Sequence, residues 1–331
     1  MLITQPNIIN LDKDTSRWET IISKCKDLNI KCNRFPAVYG KKLEKSEIDK
    51  LSNVFAKYFI LSYSMVGCAL SHIRLMEQEY LKYKELKEKN KINLDLDEIW
   101  IQIWEDDTLI EKDYHSKMLE LKNNLEWTRK YKKDTYQNID MIKLHTMVKD
   151  LSTTFPASIL FKKTSSLKLK NLELSSYKHS PFTNSLIVKC SSIPKLLEHF
   201  KKYKIIYHVD WQQSYISNFN IWYLSHEINP PNFIELDSNN LNGTYPKFII
   251  HFTNYVLKKL NINTDNIIWF SFLQPVLNIN FKYKINCLII LYLFVVSLLT
   301  ILLKCFNIPN FNIILKIFLL IWFLEIILTY K

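Results

Sequence analysis

Apolar positions along the chain follow two alternating periods. Asn7 to Leu11 is a short apolar run of strand length, and after it Trp18, Ile21, Ile22, Cys25 and Leu28 recur at helical spacing. Ser16 and Glu19 form the S-x-x-E pattern of a capping box and place the helix start there. Phe35 to Val38 predicts a second short strand. Leu70, Ile73, Leu75, Met76 and Tyr80 predict a helix, and Ile99 to Trp104 a continuous apolar strand broken only by Gln102. Ile139 to Leu144 and Ser185 to Val188 predict two more strands, the latter followed by a helix from Ile193 to Tyr203. Leu151 to Ser176, rich in Ser, Thr and Lys, reads as a long loop. This alternation predicts one α/β domain over residues 1–280, with helices covering a mostly parallel sheet.

The pattern changes toward the C-terminus. Residues 285–303 carry no charge and only Asn286, Ser297 and Thr300 as polar interruptions, enough to cross a hydrocarbon core of ~30 Å. A second apolar run at 308–330 contains Lys316 and Glu325, so it either spans with its charges drawn to the interfaces or lies along the surface. Together the runs predict a C-terminal transmembrane helical hairpin. Lys258, Lys259, Lys282 and Lys284 precede the first run, and only Lys304 lies in the connector. The positive-inside bias therefore keeps the N-terminal region on the cytosolic side of the membrane. The first residues have no basic and apolar signal pattern, so no secretory signal peptide is expected.

Composition narrows the chemistry. Three glycines, Gly40, Gly67 and Gly243, exclude a glycine-rich phosphate loop of either the dinucleotide or the P-loop kind. The formal charge of +12 suggests an anionic partner, but the lysines are scattered and interleaved with glutamates, as along residues 79–91. No clustered basic reading motif is present, and no nucleic acid partner is expected. The six cysteines contain no C-x-x-C pair and read as reduced and unligated.

The strand at Ile99 to Trp104 delivers three consecutive carboxylates, Glu105, Asp106 and Asp107, to its carboxyl end, where open α/β sheets bind ligands. Such a cluster is easiest to understand if Mn²⁺ or Mg²⁺ relieves the repulsion and binds phosphate oxygens. Alternatively, Asp106 or Asp107 caps a helix beginning near Lys112.

Several pieces occur together in one order: Ile9-Asn10-Leu11-Asp12 with Arg17-Trp18-Glu19, Arg34-Phe35-Pro36-Ala37-Val38-Tyr39-Gly40, Val66-Gly67-Cys68-Ala69-Leu70-Ser71-His72, and Trp104-Glu105-Asp106-Asp107. In this order they resemble glycosyltransferase family 25, the lipooligosaccharide and collagen galactosyltransferase type. A fainter likeness continues through Ser185-Leu186-Ile187-Val188 and Val209-Asp210-Trp211. The resemblance implies a GT-A-like fold and transfer of galactose or glucose, with inversion, from a UDP-sugar to a glycan, glycolipid or glycoprotein acceptor.

Asp107 and Asp106 are then candidate metal ligands, with His251 as a possible third; a core or surface histidine is the alternative for His251. Glu105 and Asp106 are candidates to bridge to the ribose or to metal-bound water. Asn10, Arg17 and Arg34 are candidate nucleotide-sugar contacts, the arginines through their planar forks unless they only form salt bridges. Ser71 and His72 fall at the mouth of the site, or His72 ties down its helix. Asp210 is the candidate base for the acceptor hydroxyl, or the N-cap of a helix starting at Trp211; Trp211 is placed near a sugar. The competing function is a catalytically inactive, membrane-bound adaptor of the same fold.

Overall fold

The computed structural model describes residues 1–53, 61, 63–145, 162–179, 183–206, 208–224, 228, 275–279 and 283–286. They fall into two compact units, residues 1–52 with 61–244 and residues 53–60 with 245–331.

The first unit is built on a nine-stranded sheet. Its strands are β1 (Leu2–Ile3), β2 (Asn7–Asn10), β3 (Asn33–Pro36), β4 (Ile99–Glu105), β5 (Met141–Lys143), β6 (Lys163–Lys168), β7 (Glu173–Tyr177), β8 (Ser185–Lys189) and β9 (Ile221–Leu224). They lie in the order β3-β2-β4-β8-β5-β9-β7-β6, with β1 also paired to β4. Its helices are α1 (Thr15–Asp27), α2 (Lys45–Leu51), α3 (Tyr63–Glu88), α4 (Tyr114–Tyr131), α5 (Lys133–Gln137), α6 (Ile193–Tyr203) and α7 (Val209–Gln213).

The sheet is mixed, which corrects the expectation of a mostly parallel one. Pairs β2–β3, β2–β4, β1–β4 and β5–β9 are parallel. Pairs β4–β8, β5–β8, β7–β9 and β6–β7 are antiparallel. Two of these come from β8, which inserts in reverse between β4 and β5, and two from the β6–β7 hairpin, whose β7 runs against β9. All five residues of β8 are buried, so its run is apolar on both faces and fits a central position in either direction.

The presumed loop over Leu151 to Ser176 is also corrected: residues 163–177 form the β6–β7 hairpin at the sheet edge, while 151–161 lie outside the described residues. Strand β6 is exposed at almost every position and carries no period-2 apolar signal. Its place is fixed by pairing with β7, which in turn pairs β9.

The capping box at Ser16 and Glu19 does not form. Helix α1 starts at Thr15 after Asp14, and Ser16 lies in its first turn, where its carbonyl accepts from Thr20 Oγ1 at 2.9 Å. A turn from Leu11 to Asp14 and an Asn10 Nδ2 bond to the Asp14 carbonyl at 3.1 Å bring the chain into the helix early. Helix α6 has the predicted bounds.

Period-2 alternation sorts β4 between two cores. Trp100 and Trp104 join Ile8, Ile21, Tyr114, Leu121, Leu125, Ile142, Ile187 and Trp222 in one cluster, with α1 and α4 contributing to it. Buried Gln102 faces the same way and accepts from Tyr114 Oη at 3.1 Å, so the one polar break in the strand is satisfied. Ile101, Ile103 and then Glu105 alternate to the opposite face. Helix α3, with Met65, Val66, Ala69, Leu70, Leu75 and Met76 buried, packs against α6 and α7.

In the second unit, β10 (Pro275–Ile279) and β11 (Tyr283–Asn286) form an antiparallel hairpin. No helix among the described residues is long and apolar enough to cross a membrane. Of the two expected membrane runs, only Ile285 and Asn286 are described, at the end of β11; the rest of 285–303 and all of 308–330 lie outside the described residues.

Candidate functional site

Glu105 ends β4 on the face opposite Trp104. His72, 1% exposed on α3, brings Nε2 to 2.8 Å from Glu105 Oε1. The same oxygen accepts from Thr183 Oγ1 at 2.6 Å. Thr183 arrives because β8 runs in reverse and therefore begins where β4 ends. Asn184, next to it, accepts at its carbonyl from Glu105 N at 2.7 Å and from the Thr108 hydroxyl. Burial works against a charge on Glu105, but the hydrogen bonds from His72 and Thr183 and the positive character of His72 and His208 hold its pKa below the usual value.

Asp106 turns toward β2. Asn10, 1% exposed, donates from Nδ2 to Asp106 Oδ2 at 2.7 Å, and Arg17 Nη1 reaches Oδ1 at 3.4 Å. Arg34 grips Asn10 Oδ1 through Nε and Nη2 at 2.9 and 2.8 Å, bonds Asp12 at 2.8 Å, and lies 5.6 Å from the centre of the Trp18 ring. Burial raises the pKa of Asp106, against the Asn10 bond and the Arg17 charge. Asp107 has a buried Oδ1 with no hydrogen-bond partner among the described residues. Burial, reinforced by the charges of Glu105 and Asp106, pushes its pKa up to about 8. Neither aspartate caps a helix, because α4 begins at Tyr114 behind Asp113.

Leu11, Asp14, Arg17, residues 37–40, Ser64, Cys68, Ser71 and His72 wall a cleft with the three carboxylates on its floor. One wall depends on a close approach of backbones. A Cβ on Gly67 would lie 2.5 Å from the Val38 carbonyl oxygen, and one on Gly40 would lie 1.6 Å from that of Tyr63. Ser71 ties the same contact: Oγ accepts from Val38 N at 2.8 Å and donates to the Gly67 carbonyl at 2.7 Å.

Asp210, 2% exposed, lies in the first turn of α7, where its Oδ1 is 3.0 Å from His208 Nδ1. It is inside the helix rather than capping it. The Asp210 and Glu105 charges raise the His208 pKa against its burial. Lys143, fully buried on β5, faces the same two carboxylates; burial pushes its pKa down to about 8 against their attraction.

The structure thus gathers Arg17, Ser71, His72, Glu105, Asp106 and Asp107 about one cleft, with Asn10 bonded to Asp106 from outside its lining and Asp210 buried on α7, also outside the lining. Arg34 is held on Asn10 and Asp12, behind Asp106, and is absent from the cleft wall. Ser71 and His72 line the cleft and are each 1% exposed. His251 and the side chain of Trp211 lie outside the described residues. Thr183, Lys143 and His208 were missed by sequence reasoning. The parity of β5 was the available signal for Lys143, a charge inside an apolar strand, whereas Thr183 depends on the direction of β8 and has no local signal.

A family model described as glycosyltransferase family 25 (LPS biosynthesis protein) matches residues 3–212. That span contains all the described residues of the cleft. No curated protein matches the chain.

Proposed function

The chain belongs to glycosyltransferase family 25, and from that premise we propose that it moves a hexose, galactose or glucose, from a UDP-sugar to a hydroxyl of a glycan, lipid-linked or protein acceptor, with inversion. The observation that carries this reading is the buried Oδ1 of Asp107, without a hydrogen-bond partner among the described residues, beside Glu105 and Asp106. An oxygen donor set of this kind fits a hard divalent cation, Mn²⁺ or Mg²⁺. Asp107 and Asp106 would hold it, and when bound it would neutralise charge on the departing diphosphate.

The chain's own side chains do the rest. Asn10 fixes the rotamer of Asp106, and Arg34 fixes Asn10. Arg17 sets a positive charge on the cleft wall, suited to a diphosphate. Asp210 takes the proton of the acceptor hydroxyl as its oxygen bonds the anomeric carbon and the bond from that carbon to the diphosphate oxygen breaks. The His208 Nδ1 contact at 3.0 Å orients the Asp210 carboxylate for that role. The apolar C-terminal runs support a membrane-borne acceptor, with the catalytic unit on the cytosolic side.

The test is UDP release by the full chain from a panel of UDP-sugars, with and without Mn²⁺. Metal-dependent release from one sugar is expected, with a loss of roughly 10²-fold or more in Asp107→Asn. No release and no UDP binding at any Mn²⁺ concentration would overturn the proposal in favour of a non-catalytic adaptor.

A further inference from the structure

The Glu105 wall of the cleft has donor chemistry that a hard cation does not need. The thiol of Cys68, the imidazole of His72 and the carboxylate of Glu105 bring one ligand atom each to within 4.8 Å of one another. Cys68 and His72 are four residues apart on α3, which puts them on one face of the helix, one turn apart. Glu105 enters from the end of β4. We propose that these three side chains form a second metal site, selective for borderline ions of the Zn²⁺ class and separate from the oxygen cluster of Asp106 and Asp107.

Three further features support it. The supports of the ligands are rigid: Gly67 and Ser71 lock the helix turn against residues 38–40, and the β4–β8 pairing positions Glu105. His72 Nδ1 is buried with no hydrogen-bond partner among the described residues, so the ring is oriented through Nε2 and Glu105. Cys68 lines the cleft, so an ion can enter there and take its remaining ligand from water, the arrangement of open zinc sites with three protein ligands.

The surrounding charges suit a cation: Glu105, Asp210 and Asp107 all act on Cys68 as negative neighbours. On binding, the S–H proton leaves to solvent and a metal–sulfur bond forms; the thiolate and Glu105 together balance the two charges of the ion. Sulfur and nitrogen donors select Zn²⁺ or Co²⁺ over Mg²⁺.

The site itself is tested without activity. The full chain, kept reduced, is titrated with Co²⁺ and followed by absorption. Wild type should show a thiolate-to-cobalt charge-transfer band saturating at one equivalent and erased by added Zn²⁺. Cys68→Ser, nearly the same shape, should lose the band, and His72→Gln should need at least about tenfold more Co²⁺. Asp107→Asn should keep the band while UDP release falls roughly 10²-fold or more, which separates this site from the transferase proposal. Absence of the band in wild type, or its survival in Cys68→Ser, would overturn the assignment.

Discussion

Asn10 serves both sides of its amide at once, donating to Asp106 and accepting the fork of Arg34. Truncation would leave a buried carboxylate oxygen without its donor and turn the exposed Arg34 fork to water, so Asn10→Ala should lose about 1–3 kcal/mol of stability, read from the urea midpoint. Lys189 is a second residue with a measurable signature. It is 3% exposed, donates to the Tyr136 carbonyl at 2.9 Å and lies over the Trp100 and Tyr136 rings. Burial lowers its pKa to about 8, against the attraction of Asp140. In the unfolded chain a lysine titrates near ~10.4, so above pH 8 the unfolded state binds a proton that the folded state does not, and stability rises with pH. Between pH 8 and pH 9.5, wild type should therefore gain about 1.6 kcal/mol relative to Lys189→Met. A constant difference between the two denaturation curves would show that the folded lysine stays charged.

The decisive elements are β4, β8 and α3. Strand β4 and the carboxylates at its end were legible, because six buried residues in a row followed by three acids leave little choice. Glu105 and Asp106 part ways after it: Glu105 meets α3 while Asp106 turns to β2. The antiparallel course of β8 was not legible, since an apolar run has no arrow, and Thr183 was hidden with it. The start of α1 was misplaced because Asn10, a long-range partner of Asp106, also holds the entry turn. Helix α3 was legible in its middle but not at its N-terminal end, where contact with residues 38–40 decides its course. Gly67→Ala tests that contact. The added methyl meets backbone rather than a yielding side chain, so a loss of about 1–3 kcal/mol is expected by thermal or urea denaturation.

At the scale of the molecule, a mixed sheet does what the expected parallel one could not. It brings the carboxyl ends of β2 and β4 and the amino end of β8 to one rim, where Glu105 meets the hydroxyl of Thr183 and the imidazole that α3 supplies. If the proposed cation binds at that rim, it relieves the repulsion among the carboxylates and adds to the stability of the fold. Saturating Mn²⁺ at about 100 times its dissociation constant should raise stability by about 2.7 kcal/mol. EDTA should reverse the shift in melting temperature, and Asp107→Asn should show none. The family likeness was legible because its pieces are short and local; the mutual placement of those pieces depends on the fold.

Gly40 and Gly67 touch each other across the cleft wall, in a chain with only three glycines among 331 residues. When a chain has almost abandoned one kind of residue, the survivors act as a filter: what remains marks the positions where shape leaves no substitute. Scarcity here locates the site as well as an acidic triplet does. Other chains with so little glycine can be searched in the same way, by asking which of the few that remain stand back to back.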